Sequence, residues 1–476
     1  MLRENSTSNK FENFLLIFIL LQPILDLLTA FCIMVLKIDT TIGVITRLFV
    51  MLLGGIYILI QTKKRESIKY ISYIILVGIV FTIGLINNKF TKNPMVFTEE
   101  VKFIAKALYP FVMLTCYVFV FKSLKEKRHS KMLEYITYAS LIIGIVMVVS
   151  IATGTDYNSY TWLKLGSRGW FYAGNELGSI LAIMCPIVIL YSIEKTKSIG
   201  KVYYWIPSVL VVYSLFAIGT KVGVGAIFVA MAIAVVMCFI QAFTQRKDGK
   251  KNVYLLNGFI AMTVFVGIMA YTPFSPFMKN MGFHFQFIEQ QQSAKNEERK
   301  KEEAKEHKPP VTEKEKEQEK EREKEKEKEK EKEKVAEKKE ETQAIIFSGR
   351  QIFEQMYKDF YKEAPMSQKL LGMGYAGNYK ADPKLIERDF HDWFYSFGII
   401  GFILLVVPFV YFGIKFIACV FTKFKQIFTV RYAMVIAAIL LGLGISFIAG
   451  HILMAPGVSF YLVLLMAYLI VDLEIE

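Results

Sequence analysis

Cysteine is scarce in this 476-residue chain, and none of its five cysteines is spaced as a pair. Cys32, Cys116, Cys185, Cys238 and Cys419 all fall inside or at the ends of apolar stretches. The sequence therefore offers no disulfide or metal framework, and these thiols read as packing against lipid or core. No A-x-A-like cleavage site follows the first apolar stretch, which is also too long for a secretory signal, and Phe31 before Cys32 argues against a lipoprotein. No repeat relates the two halves of the chain, which counts against a transporter built from duplicated bundles. The glycine-rich LLGMGYAGN (370–378) is too short for a phosphate loop and lacks the strand-to-helix context one needs.

Apolar side chains are abundant. They make up 54% of the chain, 39 of them Phe, with a mean hydropathy of +0.38. A soluble fold of this length runs out of interior volume before it can bury that much. Runs such as LLIFILLQPILDLLTAFCIMVL are long enough to cross about 30 Å of hydrocarbon as helices. The expected fold is an all-α polytopic membrane protein of about twelve spans: 12–36, 42–61, 69–87, 102–122, 133–152, 172–193, 202–218, 222–243, 253–273, 396–418, 430–449 and 452–472. Residues 1–273 then carry nine spans, 274–395 one large extracytoplasmic loop with amphipathic helices, and 396–476 the last three.

Lysine and arginine collect in alternate connections, at 61–69, 122–131, 194–201, 244–251 and 415–431. The positive-inside rule places these, and both termini, in the cytoplasm. The formal charge of +14 is thus mostly topogenic and gives no reason to expect a nucleic-acid partner. Nor does it come from the Lys/Glu-rich insert 295–341, whose 18 basic and 19 acidic residues nearly cancel. Strict alternation there sets like charges at i,i+4 and leaves almost nothing apolar to bury, so a solvated, disordered spacer is expected. The functional alternative is a tether reaching about 35–40 Å as a coil.

Beyond the insert, IIFSGRQIFEQMYKDFYKEAP (345–365) has an apolar stripe at Ile346, Ile352, Phe353, Met356 and Phe360, with Ser348 placed to cap the helix. Arg350 falls in the first turn, where the helix dipole favours a carboxylate instead. ERDFHDWFYSFGIIG (387–401) then crowds charge against the start of a span. On a helix Arg388 and His391 share one face, and Asp389 and Asp392 the next. Ionisable groups at such a depth mark function by default. Arg168, Asn175, Glu176, Lys221, Lys102 and Lys106 fall at the same expected membrane level. Interfacial lysines commonly snorkel to headgroups, which is the plain reading for Lys102. Several cations at one level also suit an anionic ligand such as a lipid-linked pyrophosphate.

Four segments in this order resemble the O-antigen ligase and polymerase family of bacterial surface-glycan assembly. RGWFYAGNELGSILAI (168–183) is similar to its Arg…Gly-x-Phe-x-Asn-Pro-Asn-x-Leu-Ala segment, with Asn175 on the second Asn, Ala173 on the first and Gly174 on the Pro. AIGTKVGVGAIFVA (217–230) resembles its Thr-x-Ser-Arg-Gly segment. Lys221 there keeps the charge of the arginine without its planar fork. SGRQIFEQMYKDF…LLGMGYAG resembles the external-loop helix, with Arg350 on its arginine. FHDWFYSFGIIGF resembles the His-Asn segment, with His391 on the histidine and Asp392 on the asparagine.

The resemblance implies a GT-C-like, metal-independent glycosyltransferase with no cofactor. Its donor would be an undecaprenyl-diphosphate-linked glycan at the outer leaflet, and its acceptor a glycan, lipid or wall polymer. Arg350, with Arg168 and Lys221, would hold the diphosphate. His391 would be the base or the group that orients the attacking hydroxyl. Asp389 or Asp392 would orient that ring or share its role, and Arg388, Asn175, Glu176 and Lys106 would bind substrate. Polymerase and ligase are not separated by the sequence. The rival class is a multi-pass transporter or lipid-linked oligosaccharide flippase, with a scaffold or receptor behind it.

Overall fold

The computed structural model describes residues 2–39, 41–61, 68–160, 164–244, 251–283, 285–286, 293, 347 and 349–475. The 295–341 insert, Ile346 and Ser348 lie outside the described residues. Among the described residues the chain is helical, with no strand and one isolated β-bridge between Asn158 and Ser167.

Ten helices among the described residues are long and apolar enough to cross a membrane. One of them, Phe97–Ala152, is two helices, Phe97–Leu124 and Arg128–Ala152, on either side of a turn at Lys125–Lys127. The helix Pro456–Asp472 is apolar but shorter. Gly174–Lys195 is 94% buried along its apolar window, against 17% for Ile68–Thr91. A helix that is apolar all round must be enclosed on every side by protein or lipid. Gly174–Lys195 is enclosed by its neighbours, and Ile68–Thr91 offers its side chains to the bilayer.

Pro456–Asp472 shares the centre, with Phe460, Leu464 and Tyr468 fully buried. The central helix Gly174–Lys195 packs against Arg128–Ala152, Lys221–Thr244 and Val430–Ile448. The prolines inside helices, among them Pro110, Pro186 and Pro408, are tolerated because neighbouring helices can take up the freed backbone groups.

Arg350–Glu363 and Met366–Leu371 lie across one end of this bundle. Met356 and Phe360 of the expected stripe pack against the bundle, but Ile352 does not. Ile352 is 69% exposed, whereas Tyr357 is fully buried in a cluster with Met373, Ile386 and Tyr395. The Tyr357 hydroxyl donates to Lys384 O at 2.8 Å. An aromatic ring with a satisfied hydroxyl covers more surface than an isoleucine, and it takes the inner position.

Gly372 and Gly398 explain the glycine-rich turn. Both have positive φ, +95° and +65°, and a Cβ on Gly372 would sit 2.0 Å from Ser396 O. Met373 N and Gly374 N donate to Tyr395 O and Ser396 O, each at 3.0 Å, across this contact. Gly398 also breaks the Asp389–Thr422 helix, so residues 389–397 form a short separate piece at its start. On the other flank of the turn, Lys92 pairs with Glu100 at 2.5 Å, and Glu100 accepts from Tyr375 N at 2.8 Å.

Candidate functional site

The start of Gly174–Lys195, the turn before Lys221–Thr244, the start of Arg350–Glu363 and the loop after Val430–Ile448 meet at one end of the bundle. They enclose a cavity of about 250 Å³. Short polar contacts hold its walls. Ser167 N donates to Ala217 O at 2.7 Å, docking the 157–168 loop on the 217–221 turn. Asn280 donates to Leu165 O at 2.7 Å and to Gly219 O at 3.1 Å, and accepts from Leu165 N at 2.6 Å. Thr220 caps the Lys221 helix by accepting from Gly223 N at 3.1 Å.

Three cations, Arg350, Lys221 and Lys164, line this cavity, joined by Tyr160, Asn175 and the pair Glu387–His451. Arg350 is the first residue of its helix, beyond a left-handed Gly349. The unfavourable helix dipole there is offset by Glu387, 3.4 Å from its guanidinium. Its Nη1 donates to Phe347 O at 3.4 Å, and its buried Nε has no hydrogen-bond partner among the described residues. Glu387 also lies 3.4 Å from His451 Nε2. His451 beside it, opposed by burial and helped by Arg350, holds the Glu387 carboxyl below its usual range. Burial works against a charged His451. The Glu387 carboxylate, with Asp389 and Glu176 farther off, outweighs it and raises the ring above its ordinary value. Both residues have left-handed backbones, Glu387 at φ +63° and His451 at +61°. Non-glycine residues rarely hold that conformation, and two of them side by side on a cavity wall is a feature typical of functional sites.

The strain is held from behind by the two aspartates. Asp389 accepts from Ser446 Oγ at 2.9 Å, Ile452 N at 2.9 Å and Leu453 N at 2.8 Å, which clamps the His451 loop. Asp392 accepts from Ile386 N at 2.9 Å and Arg388 N at 3.2 Å, which fixes the extended segment carrying Glu387. Both are buried and neither lines the cavity.

Arg388 and His391 face away from it, toward Glu354. Arg388 donates to Glu354 at 2.6 Å and to Phe447 O at 3.1 Å, and stacks 4.2 Å from the Phe347 ring. His391 Nε2 lies 3.9 Å from Glu354, and its buried Nδ1 has no partner. Burial pushes the Glu354 carboxyl up, but Lys358, His391 and Arg388 outweigh it and hold it below its ordinary range.

Arg168 stands behind the wall, held by the Tyr172 carbonyl and stacked between the rings of Tyr157 and Tyr172. Glu176 and Lys106 line a second cavity of about 170 Å³. Among the described residues, no group of three His, Cys, Asp or Glu side chains could hold a metal ion.

Of the residues singled out from the sequence, the fold thus brings Arg350, Lys221 and Asn175 to one cavity and Glu176 and Lys106 to its neighbour. Arg388, His391, Asp389, Asp392 and Arg168 pack around the walls. His451, Lys164 and Tyr160 went unnoticed. For His451 a signal existed: it is the sole ionisable group in the short break between two apolar runs, AGHILMAP.

Membrane-length helices closed at one end over a cation-lined cavity define a multi-pass membrane protein. The chain belongs to the family described as O-antigen ligase like membrane protein, whose sequence model matches residues 8–476, essentially the whole length. Membership brings with it a glycosyltransferase-like enzyme of polysaccharide ligation or polymerisation, acting on lipid-linked glycans. No curated protein and no solved structure matches the chain.

Proposed function

We propose that the protein transfers an undecaprenyl-diphosphate-linked glycan to an acceptor hydroxyl at the outer face of the cytoplasmic membrane. The observation that carries this reading is the cation set of one cavity: Arg350, Lys221 and Lys164, from three distant segments, with His451 on the same wall. A diphosphate leaving group gains negative charge as its bond to the sugar breaks, and fixed cations in a partly dry pocket stabilise that charge most where it develops. The buried Arg350 Nε, with no partner among the described residues, is a donor such a ligand can use. His451, whose protonated form Glu387 favours, adds a further donor. In this reading Glu387 positions Arg350 and His451, and Asp389 and Asp392 position the segments that carry Glu387 and His451. His391 and Arg388 anchor the 350–363 helix through Glu354.

The same reading keeps the twelve-pass topology. Phe97–Ala152 counts as two passes and Pro456–Asp472 as the short last one. The cytoplasmic end is the one opposite the cavity, where Lys125, Lys127, Lys195, Lys197, Lys201 and Arg431 collect, as the positive-inside rule requires. The 274–395 loop then lies outside. Metal-independent chemistry belongs to the proposal as well.

The test is complementation of a strain deleted for the gene. Wild type restores surface glycan, and Arg350→Ala and His451→Ala leave lipid-linked glycan to accumulate. Normal glycan length with Arg350→Ala would sink the proposal. The accumulated species separates the two family activities: single repeats follow loss of a polymerase, and long chains follow loss of a ligase. His391→Ala in parallel tests the role first expected for that histidine.

A further inference from the structure

One turn of the Gly174–Lys195 helix divides two cavities. Asn175, Gly178 and Ser179 line the cation-rich one, while Glu176, Leu177 and Ile180 line the second. Their chemistry differs. The first has three cations and His451 against one carboxylate, Glu387. The second sets Lys102, Lys106 and Arg47 against Asp26 and Glu176, beside the rings of Phe171 and Tyr172.

Arg47 is already committed, 2.7 Å from Asp26 and donating to Gln22 Oε1 at 2.7 Å. Lys102 pairs with Glu99 at 3.5 Å. A near-neutral wall of mixed donors and acceptors with aromatic faces suits the hydroxyls and ring faces of a sugar, and suits a second diphosphate poorly.

Glu176 stands apart from the other acidic groups here. Asp26, Glu387, Asp389 and Asp392 are each held by an ion pair or hydrogen bonds. Among the described residues Glu176 has no hydrogen-bond or ion-pair partner, although it lies in the first turn of the central helix, at the wall between the cavities.

We propose, resting on the glycosyl-transfer reading above, that the second cavity is the acceptor-sugar subsite and that Glu176 is the general base. The acceptor hydroxyl oxygen forms a bond to the anomeric carbon of the donor held in the first cavity. The bond from that carbon to the phosphate oxygen breaks, and its electron pair leaves with the diphosphate. The hydroxyl proton passes to the Glu176 carboxylate. Tyr172 supplies a face for the acceptor ring, and Lys106 a donor to its hydroxyls.

The experiment uses the full-length protein in detergent with bilayer lipid. Lipid-linked glycan from the deletion strain serves as donor, and varied concentrations of released glycan or acceptor lipid as acceptor. Glu176→Gln is expected to lower kcat at least about 100-fold, with the acceptor KM within about threefold, because a base is lost and shape is kept. It should also remove the acid limb of the pH–rate profile. Tyr172→Ala is expected to raise the acceptor KM about tenfold and to leave the donor KM in place. Wild-type turnover in Glu176→Gln, or a donor KM that rises with the acceptor KM in Tyr172→Ala, overturns the assignment. Wild-type protein inert toward the lipid-linked donor would instead bring down the underlying glycosyl-transfer reading, so the two failures are distinguishable.

Discussion

The Glu387–His451 pair makes pH a direct probe of the cavity. The ring is raised above its ordinary value, so its contribution to stability is whole below about pH 6.5 and fades as pH rises through the raised value. The carboxyl is lowered, so its contribution is present above about 4.5 and is lost as pH falls through the lowered value. Between those limits the pair is intact, with Arg350 on the far side of Glu387 and Asp389 and Glu176 facing the ring. His451→Gln should therefore flatten the alkaline fall in thermal stability of the purified protein and weaken the acid fall as well, because His451 is the main cause of the lowered Glu387 carboxyl. An unchanged alkaline limb in the variant would show that another group sets it. For Arg350, substitution by Lys should keep part of the activity and by Ala cost about 10²–10³ in turnover, since a planar fork and a point charge hold a diphosphate differently. A radiolabelled transfer assay reads both.

At the scale of elements, glycine contacts and buried carboxylates keep the site in shape. Gly372→Ala should destabilise the protein by about 2–4 kcal/mol, because its Cβ would lie 2.0 Å from Ser396 O on a backbone that strongly favours glycine. Thermal unfolding checks this. Asp389→Ala leaves two backbone N–H groups and the Ser446 hydroxyl without their acceptor, at a cost of roughly 3 kcal/mol or more. Activity should fall with it and the alkaline stability limb should shift, although Asp389 does not line the cavity.

The extent to which these elements were legible differs residue by residue. Apolar run length was enough to place the membrane helices, because spanning hydrocarbon is a local requirement. The inner face of Arg350–Glu363 was legible at Met356 and Phe360 and missed at Ile352 and Tyr357. Its stripe admits both Ile352 and Tyr357, and only the neighbours Met373, Ile386 and Tyr395 favour the tyrosine. His391 carried the motif, whereas His451, sixty residues on, lines the cavity.

For the whole molecule, the topology and the insert offer the cleanest tests. Single cysteines placed in 245–250 and near residue 300 of a cysteine-free chain should differ in labelling from outside intact cells. The first should be protected and the second labelled, and the reverse pattern would invert the orientation. Deleting 295–341 should leave surface-glycan yield within about twofold, because a near-neutral charged spacer with little to bury is not expected to hold a ligand. Abolished synthesis would instead make the insert part of the machinery.

The amino-acid order by itself determined that the chain lives in a membrane and where its apolar helices run, and it predicts cations and a histidine near one membrane surface. Each of these follows from local solvation: twenty apolar residues must leave water, and charges must stay near it. Which charges share a cavity was decided only in three dimensions. Lys164, Lys221, Arg350 and His451 are separated by dozens of residues, and their meeting depends on how the helix ends and loops stack. The same stacking turns Asp389 inward, aims Arg388 at Glu354 and leaves Glu176 between two cavities without a partner among the described residues. Burial and partner distance set the chemistry of those side chains, and both are properties of the packed bundle.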